Sequence, residues 1–199
     1  LNMIFSFEHM NYNKPSGENG WIEAPFSLPG YKKIYKKWQE GLSGRGWNTL
    51  YLENHDQTRS VSRYGDTSTP ELWKKSAKAL AVMYFLMEGT PYIYMGQELG
   101  ATNTDFQDIT EFRDIAALND WKELKKSGRS DEEALHLLRL VSRDNSRTPF
   151  PWSGGENGGF SSARPGSRMN QDYGLIKVEE EEKDPSSVLN FYRKLIALR

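Results

Sequence analysis

The pattern of apolar and polar positions is most informative between residues 47 and 57. The run from Trp47 to Leu52 is largely apolar and aromatic, which is typical of a short buried strand, and it gives way to polar residues at Asn54, His55 and Asp56. In parallel α/β barrels, side chains at the carboxyl end of a strand form the active-site rim. The pattern therefore predicts that His55 and Asp56 lie at such a rim. The alternative is that the three polar residues only form a turn that caps the strand.

Two further strands are predicted from the apolar pattern. Residues 1–10 form a strand-like run that ends in Phe7-Glu8-His9-Met10, and residues 89–96 form another that is closed by Gly96. Together with residues 47–54 they make three strands separated by helical segments. We therefore expect right-handed crossovers and a parallel sheet.

Helical spacing predicts a helix between each pair of strands. The first has one apolar face, formed by Tyr31, Ile34, Tyr35 and Trp38. Gly41 is placed to end this helix. The second helix spans residues 70–88, opens at a capping box from Ser68 to Glu71, is almost wholly apolar over its later half, and is ended by Gly89.

Residues 101–150 do not fit this alternation, and we interpret them as a helical excursion inserted after the third strand. A helix is expected from about Asp108 to Leu124, and a second one from the capping box Ser130–Glu133 through Val141. Residues 142–183 form a long irregular stretch, in which the charge run Glu179–Glu182 is interpreted as a solvated turn.

The last helix is expected to begin at Asp184-Pro185, a capping residue followed by a proline in the first turn. One apolar face follows, formed by Val188, Phe191, Tyr192, Leu195 and Ile196. That face has no partner downstream, and Leu1 opens the chain directly in a strand-like run. Both ends favour a segment of a larger protein.

Composition narrows the function classes. The chain has 199 residues, no cysteine and a formal net charge of -1, so there is no disulfide framework and no electrostatic case for nucleic acid or an anionic membrane. No apolar run is long enough to span a bilayer. No cluster of Cys or His has metal-ligand spacing, so we expect no metal and no cofactor. A cytoplasmic location is expected.

Three stretches in series are far more specific than a general α/β pattern. Residues 54–65 read NHDQTRSVSRYG, residues 89–100 read GTPYIYMGQELG, and residues 142–152 read SRDNSRTPFPW. In order and spacing they resemble the α-amylase superfamily of glycoside hydrolases, in particular its branch of oligo-1,6-glucosidases, dextran glucosidases and α-glucosidases. The opening residues 1–10 are similar to the strand that follows the acid-bearing strand in that family.

The resemblance implies an α/β fold that is the C-terminal portion, about three βα units, of a TIM (β/α)8 barrel. Residues 1–199 would form one partial catalytic domain, with 101–150 as a helical insertion after the last strand. The nucleophilic Asp and the acid/base Glu of the family lie on its fourth and fifth strands and would precede Leu1. The implied partner is an oligosaccharide substrate, with no nucleic acid and no membrane.

Asp56 matches the family residue that stabilises the transition state. Retaining glycosidases pass through an oxocarbenium-like transition state, in which hydrogen bonds to the sugar hydroxyls strengthen. A carboxylate held against the 2- and 3-hydroxyls therefore contributes differentially to the transition state. The resemblance makes His55 a donor to the same sugar, and it makes Arg143 a contact of the glucose in the terminal subsite.

Structural alternatives accompany these assignments. A guanidinium can donate hydrogen bonds to two sugar hydroxyls at once. The alternative for Arg143 is a structural ion pair, with Asp144 or a neighbouring loop. Arg147 is interpreted as structural, and Glu98 as a partner in a buried network. The remaining aromatic and rim candidates are expected to belong to the structure rather than to bind sugar: Tyr92, Tyr94, Trp38, Glu8 and His9.

The sequence departs from the family at the rim and at one surface loop. Met95 stands where the family commonly has Gln, Gln97 where it has Glu, and Pro165-Gly166 where it has a Pro-Trp pair. These departures concern the detail of the subsites and leave the family resemblance in place.

Two classes of function remain after this comparison. The first is an enzyme, a retaining α-glucosidase of short α-glucosides, with sucrose isomerases and trehalose-6-phosphate hydrolases sharing much of the pattern. The second is a non-catalytic barrel scaffold, such as the ectodomain of an amino-acid transporter heavy subunit. The presence of both His55 and Asp56 favours the enzyme. As part of a barrel with open strand edges, the fragment is expected to self-associate or to need its missing N-terminal half.

Overall fold

Three short parallel strands form the centre of the fold. The computed structural model describes residues 2–22 and 25–199, so Leu1, the first residue of the predicted first strand, lies outside the described residues. The strands are β1 (Met3–Ile4), β2 (Trp47–Leu50) and β3 (Thr90–Pro91), in the order β1-β2-β3. Both pairings are parallel, which confirms that prediction.

Because both pairings are parallel, the carboxyl ends of the strands lie at the same edge of the sheet. Met3 pairs with Trp47, and Thr49 pairs with Thr90. Helices cross over between the strands in the predicted alternation. In chain order the helices are α1 (Glu8–Asn11), α2 (Leu28–Leu42), α3 (Ser60–Tyr64), α4 (Pro70–Phe85), α5 (Ile115–Lys126), α6 (Asp131–Val141), α7 (Val178–Lys183) and α8 (Val188–Leu198).

The first strand is shorter than the sequence predicts, because the chain turns after it. Residues 8–11 are helical, and the carbonyl of Phe7 accepts from the backbone N–H of Met10 and of Asn11, both at 3.1 Å. The turn is fixed by the residue that follows β2, since Tyr51 donates its hydroxyl to the Ser6 carbonyl at 2.7 Å. The expected strand over residues 1–10 is therefore wrong beyond Ile4.

Two predicted helix boundaries are also corrected. Gly41 does not end α2, which continues through Leu42. The residue that caps α4 is Thr69 rather than Ser68, since the Thr69 hydroxyl accepts from the N–H of Leu72 at 3.2 Å. With the cap one residue later, Pro70 takes the first helical position, where its missing N–H costs no hydrogen bond.

The 101–150 segment contains the two expected helical regions. The first is split: a 3-10 turn spans Ile109–Glu111, and α5 begins only after Asp114, whose side chain accepts from the N–H of Ala116. The second, α6, begins at the predicted capping box, in which Ser130 and Glu133 satisfy each other's backbone N–H groups. Further 3-10 turns occupy Gly17–Asn19, Gln97–Leu99, Arg143–Ser146, Glu156–Gly159 and Gln171–Gly174.

The charge run near the C-terminus is not a solvated turn. It forms α7, and Glu181 within it is buried, with 5% of its surface exposed. The last helix, α8, is capped by Ser187 and not by Asp184. Its predicted apolar face is confirmed in part, because Val188, Tyr192 and Leu195 are buried in the main core, whereas Ile196 is 56% exposed.

Two hydrophobic clusters hold these elements together. The main core joins the sheet to α4 and α8, with Leu50, Leu52, Ala81 and Tyr192 among its members. The second lies between α5 and α6 and includes the ring pair Phe106–Phe112, whose centroids are 4.4 Å apart. The carboxyl end of β2 therefore rests on the main core, while α6 itself belongs to the second cluster.

Candidate active site

The buried end of β2 delivers Asp56 to the surface. Leu50, Tyr51 and Leu52 are almost fully buried, and the chain emerges over the next four residues. The side chain of Asn54 stabilises the emerging turn by accepting from the N–H of Asp56 at 2.8 Å. Asp56 is left partly exposed, as the predicted rim position requires.

Two guanidinium groups converge on one oxygen of Asp56. Arg143 Nη1 donates to Asp56 Oδ1 at 2.9 Å, and Arg147 Nη2 donates to the same oxygen at 3.0 Å. Arg147 also donates through Nε to the carbonyl of His55 at 3.0 Å. Arg147, which the sequence suggested to be structural, therefore orients both the carboxylate of Asp56 and the backbone beside it.

Arg143 has a second and closer carboxylate partner in Asp114. Both Nε and Nη2 of Arg143 donate to Asp114, the latter at 2.6 Å, in the paired geometry that a guanidinium fork favours. These hydrogen bonds raise the pKa of Arg143 and lower that of Asp114. Of the two structural partners expected for Arg143, Asp144 is wrong, because it accepts instead from Ser142 and from the backbone N–H groups of residues 113 and 114. The other option, an ion pair with a neighbouring loop, is met by Asp114 in the segment before α5.

His55 lies beside Asp56 and faces solvent. Its Nε2 is 3.3 Å from Asp56 Oδ2, the oxygen that the two arginines do not contact. About 70% of the His55 side chain is exposed. An exposed imidazole and a carboxylate oxygen are thus presented together, and both can exchange hydrogen bonds with a ligand.

A cavity of about 400 Å³ is lined by Asp56, Asp114 and Arg143. Its volume lies within the range of small-molecule sites. The opposite wall is the loop after α1, where Lys14 contributes an ammonium whose pKa is lowered mainly by burial. Asp120 of α5 also lines the cavity, and burial raises the pKa of its carboxyl.

The sequence singled out Asp56, His55 and Arg143, and the structure brings all three together. It did not single out Asp114 or Lys14. Asp114 could have been found from the Asp-Ile-Ala pattern of a capped helix start, but its pairing with a residue 29 positions away depends on how α5 and α6 pack. Lys14 lies in an irregular loop, where no spacing rule applies.

The other rim candidates have structural partners. His9 is buried, its Nε2 donates to the Tyr51 carbonyl at 2.9 Å, and burial lowers the pKa of its imidazole to about 4. Glu8 accepts from Lys37 and from Trp38. Tyr92 differs from expectation, since 42% of its surface is exposed instead of buried in the core.

Glu98 is half-buried and accepts from the N–H of Gly96 at 2.8 Å, while burial raises the pKa of its carboxyl. Among residues 2–22 and 25–199, no group of three or more His, Cys, Asp or Glu side chains is placed to hold a metal ion. In the same part of the chain, no helix is both long enough and apolar enough to cross a membrane.

Parallel strands joined by helices, with polar side chains at the carboxyl end of a central strand, define an enzyme-like α/β sheet of the TIM-barrel type. The chain belongs to the alpha-amylase catalytic domain family, whose sequence profile matches residues 1–199.

The similar proteins are sugar-acting enzymes. The chain is 46% identical over 201 residues to the oligo-1,6-glucosidase of Parageobacillus thermoglucosidasius, and 45% identical over 200 residues to the trehalose-6-phosphate hydrolase of Bacillus subtilis (strain 168). Each match covers all of this chain and 35% of the relative, so the chain spans about a third of the length of these proteins.

Solved structures give the same picture. The crystal structure of Bacillus licheniformis trehalose-6-phosphate hydrolase is similar with a TM-score of 0.93 at 45% identity. That of isomaltulose synthase from Klebsiella sp. LX3 is similar with a TM-score of 0.92 at 41% identity. Both similarities cover the whole of this chain and 35% of the other.

Proposed function

We propose that the chain is part of a retaining α-glucosidase that hydrolyses short α-glucosides, of the oligo-1,6-glucosidase type, in carbohydrate metabolism. The observation that carries the proposal is the convergence of Asp56, His55 and Arg143 at one end of the sheet, with Asp56 and Arg143 lining one cavity. Family membership and the named relatives support the same activity.

Asp56 acts as the transition-state stabiliser. Its Oδ1 is held by Arg143 and Arg147, and Oδ2 is directed to the side of His55. A carboxylate whose orientation is already fixed can accept hydrogen bonds from two adjacent sugar hydroxyls without reorganising. Such bonds strengthen as the ring gains positive charge, so they lower the barrier more than they improve ground-state binding.

Arg143 and His55 bind the sugar. The Arg143 fork is anchored on Asp114, a carboxylate with only 2% of its side chain exposed, which leaves Nη1 to face Asp56 and the cavity. His55 presents a largely exposed imidazole at the rim, 3.3 Å from Asp56. Arg143 therefore provides rigid recognition, and His55 provides an adaptable donor or acceptor.

We assign the chain to the C-terminal portion, about three βα units, of a (β/α)8 barrel, with residues 101–150 as an insertion after the last strand. On this assignment the nucleophile and the acid/base carboxyl lie outside residues 1–199, and residues 1–199 alone are inactive. A retaining mechanism needs that second pair of carboxyl groups about 5–5.5 Å apart. No cofactor takes part, and the protein acts in the cytoplasm.

The fragment has an exposed aromatic face, formed by Met3, Phe5, Phe7 and Tyr92, each between 40% and 52% exposed. The ring of Phe5 lies 5.2 Å from that of Tyr92, so the face is continuous across β1 and β3. Among the described residues each of these strands pairs only with β2. The remaining half of the barrel covers this face, and self-association covers it when that half is missing.

The first experiment is hydrolysis of p-nitrophenyl α-glucoside by residues 1–199 and by the longest natural chain that contains them, with intact mass measured on both samples. Turnover by the long chain alone is expected. Turnover by residues 1–199 at their own mass would contradict the assignment of the carboxyl pair. Absence of turnover in the long chain, when it is folded, would favour the non-catalytic scaffold.

Similarity to an isomaltulose synthase and to trehalose-6-phosphate hydrolases favours a second candidate, an enzyme with a different acceptor or substrate. The three carboxylates and two cations that line the cavity give no excess positive charge for a phosphorylated glucoside: Asp56, Asp114, Asp120, Lys14 and Arg143. Product analysis with isomaltose, sucrose and trehalose 6-phosphate separates the three activities.

A further inference from the structure

Arg59 is a buried arginine at the centre of three chain segments. Only 3% of its surface is exposed. Its guanidinium donates to Glu53 Oε2 at 3.0 Å, to the carbonyl of Met95 at 2.8 Å and to the carbonyl of Asn145 at 3.2 Å. These acceptors follow β2, follow β3, and belong to the 3-10 turn that also carries Arg143.

Glu53 fixes the other side of the same loop. Its Oε1 accepts from the backbone N–H of Ser60 at 2.9 Å and from the Ser60 hydroxyl at 2.7 Å. The carboxylate of Glu53, just before the loop 54–59, therefore binds Arg59 and Ser60 at the other end of that loop. This loop contains His55 and Asp56, so the two predicted sugar contacts lie between fixed ends.

The segment that carries Arg143 is tied to that loop through neighbouring atoms. Asn145 is fully buried, and its carbonyl accepts from Arg59. The Ser146 hydroxyl donates to the carbonyl of Gln57, within the same loop. The buried guanidinium of Arg59 therefore helps to fix the distance between Asp56 and Arg143, in addition to the ion pair between these two residues.

We propose that Arg59 is a positioning residue, which holds the Asp56 loop and the Arg143 turn in the relative placement that the sugar site requires. The inference rests on the proposed function for its effect on catalysis but not for its effect on structure. A buried charge with three well-placed acceptors is costly to disturb, and small misplacements of reacting groups reduce rates steeply. Lysine cannot replace it, because one ammonium does not reproduce the planar fork.

The structural part is tested by a double-mutant cycle. Asp56→Asn, Arg143→Lys and the double variant are compared by thermal unfolding, first in the natural background and then with Arg59→Lys. We expect the coupling between Asp56 and Arg143 to fall by more than half when Arg59 is changed. An unchanged coupling would overturn the proposal. If Arg59→Lys does not fold, Glu53→Gln replaces it in the same cycle.

The matched control is Arg63→Lys. Arg63 donates to the carbonyls of Met10 and Tyr12, so it too joins segments through backbone acceptors, but these acceptors lie in and just after α1 and not in the loop 54–59 or the Arg143 turn. This variant should lower the melting temperature and leave the coupling intact. An equal loss of coupling in the control would reduce Arg59 to a general stability residue and overturn the proposal.

The catalytic part uses the long chain with p-nitrophenyl α-glucoside, well below the melting temperature of each variant. For Arg59→Lys we expect kcat to fall about 10²-fold with a much smaller change in KM, because displaced groups lose transition-state contacts first. An unchanged kcat would overturn the positioning role. If the natural protein is inactive but Arg59→Lys still lowers the coupling between Asp56 and Arg143, the proposed function is contradicted and the structural role of Arg59 is supported.

Discussion

Arg143 Nη1 lies 2.9 Å from Asp56 Oδ1, although the two residues are 87 positions apart in the chain. The contact joins the turn after β2 to the turn after α6. The first turn follows Leu52 of the main core, and the second follows α6, which packs into the cluster between α5 and α6 through Leu138. The candidate sugar site is therefore built across the boundary between the parallel sheet and the helical segment.

Asp56→Asn is expected to lower kcat of the long chain about 10²–10³-fold with little change in KM, because the lost charge is used mainly in the transition state. The amide retains one acceptor oxygen, so the fold should persist. Steady-state kinetics with p-nitrophenyl α-glucoside measures the effect. Asp66→Asn, an exposed aspartate whose carboxylate accepts from the N–H and the hydroxyl of Ser68, is the control and should retain full activity. Comparable losses in both variants would count against a stabilising role for Asp56.

Arg143→Lys is expected to act on substrate affinity and on stability together. A single ammonium cannot satisfy both oxygens of the buried Asp114 and also reach Asp56. We expect kcat/KM to fall about tenfold or more, a loss of at least about 1.4 kcal/mol, mainly through KM, with a lower melting temperature. Kinetics and thermal unfolding of the same sample test both effects. A normal KM would show that Arg143 serves only the ion pair with Asp114.

Residues 1–199 in isolation are expected to form a dimer or a higher oligomer through the exposed aromatic face. Sedimentation velocity at several concentrations measures this. Replacing Phe5 and Tyr92 by serine should shift the distribution towards monomer, because these two exposed rings contact each other and make the face continuous. Phe160→Ser removes an equally exposed ring elsewhere and should have no effect. A monodisperse monomer of the unaltered chain would contradict the prediction.

The sequence predicted correctly those features that depend on residues close together in the chain. The capping box at Ser130 and Glu133 was predicted because both partners lie within one turn. The parallel order of β1, β2 and β3 followed from the alternation of strands and helices. The position of Asp56 followed from a buried run that ends in polar residues.

The predictions were wrong or incomplete where the local structure depends on contacts with distant segments of the chain. Residues 8–11 are helical because Tyr51, just after β2, fixes the turn before them. The pattern of residues 1–10 gives no sign of this distant contact. The partner of Arg143 is Asp114 rather than its neighbour Asp144, since a guanidinium fork needs a carboxylate facing it and Asp144 is occupied by backbone N–H groups. Arg59 was not recognised because its acceptors are spread over three segments.

Glu181 provides the clearest case of burial overriding a charge pattern. It stands in a run of four glutamates, yet it is buried between α7 and the start of α8. Its Oε2 accepts from the N–H of Leu189 at 2.8 Å, and burial raises the pKa of its carboxyl to about 7. Its neighbour Glu180 is exposed and lies near Lys183.

The contribution of Glu181 to the stability of the fold should therefore fall as the pH rises from about 4.5 to above 7. The folded-state pKa of Glu181 lies above the value of about 4.3 for an unfolded chain, so the folded state binds the proton more tightly. The resulting stabilisation is fully present below the unfolded pKa and is lost as the pH rises through the folded pKa, on the order of 3 kcal/mol in all. Thermal unfolding of the unaltered chain and of Glu181→Gln is measured from pH 4 to 8. The difference between the two stability profiles gives the contribution of the Glu181 carboxyl to the free energy of unfolding. Glu180→Gln serves as the control and should leave the profile unchanged. A constant difference between the unaltered chain and Glu181→Gln over that range would mean that the Glu181 carboxyl titrates alike in the folded and unfolded chains.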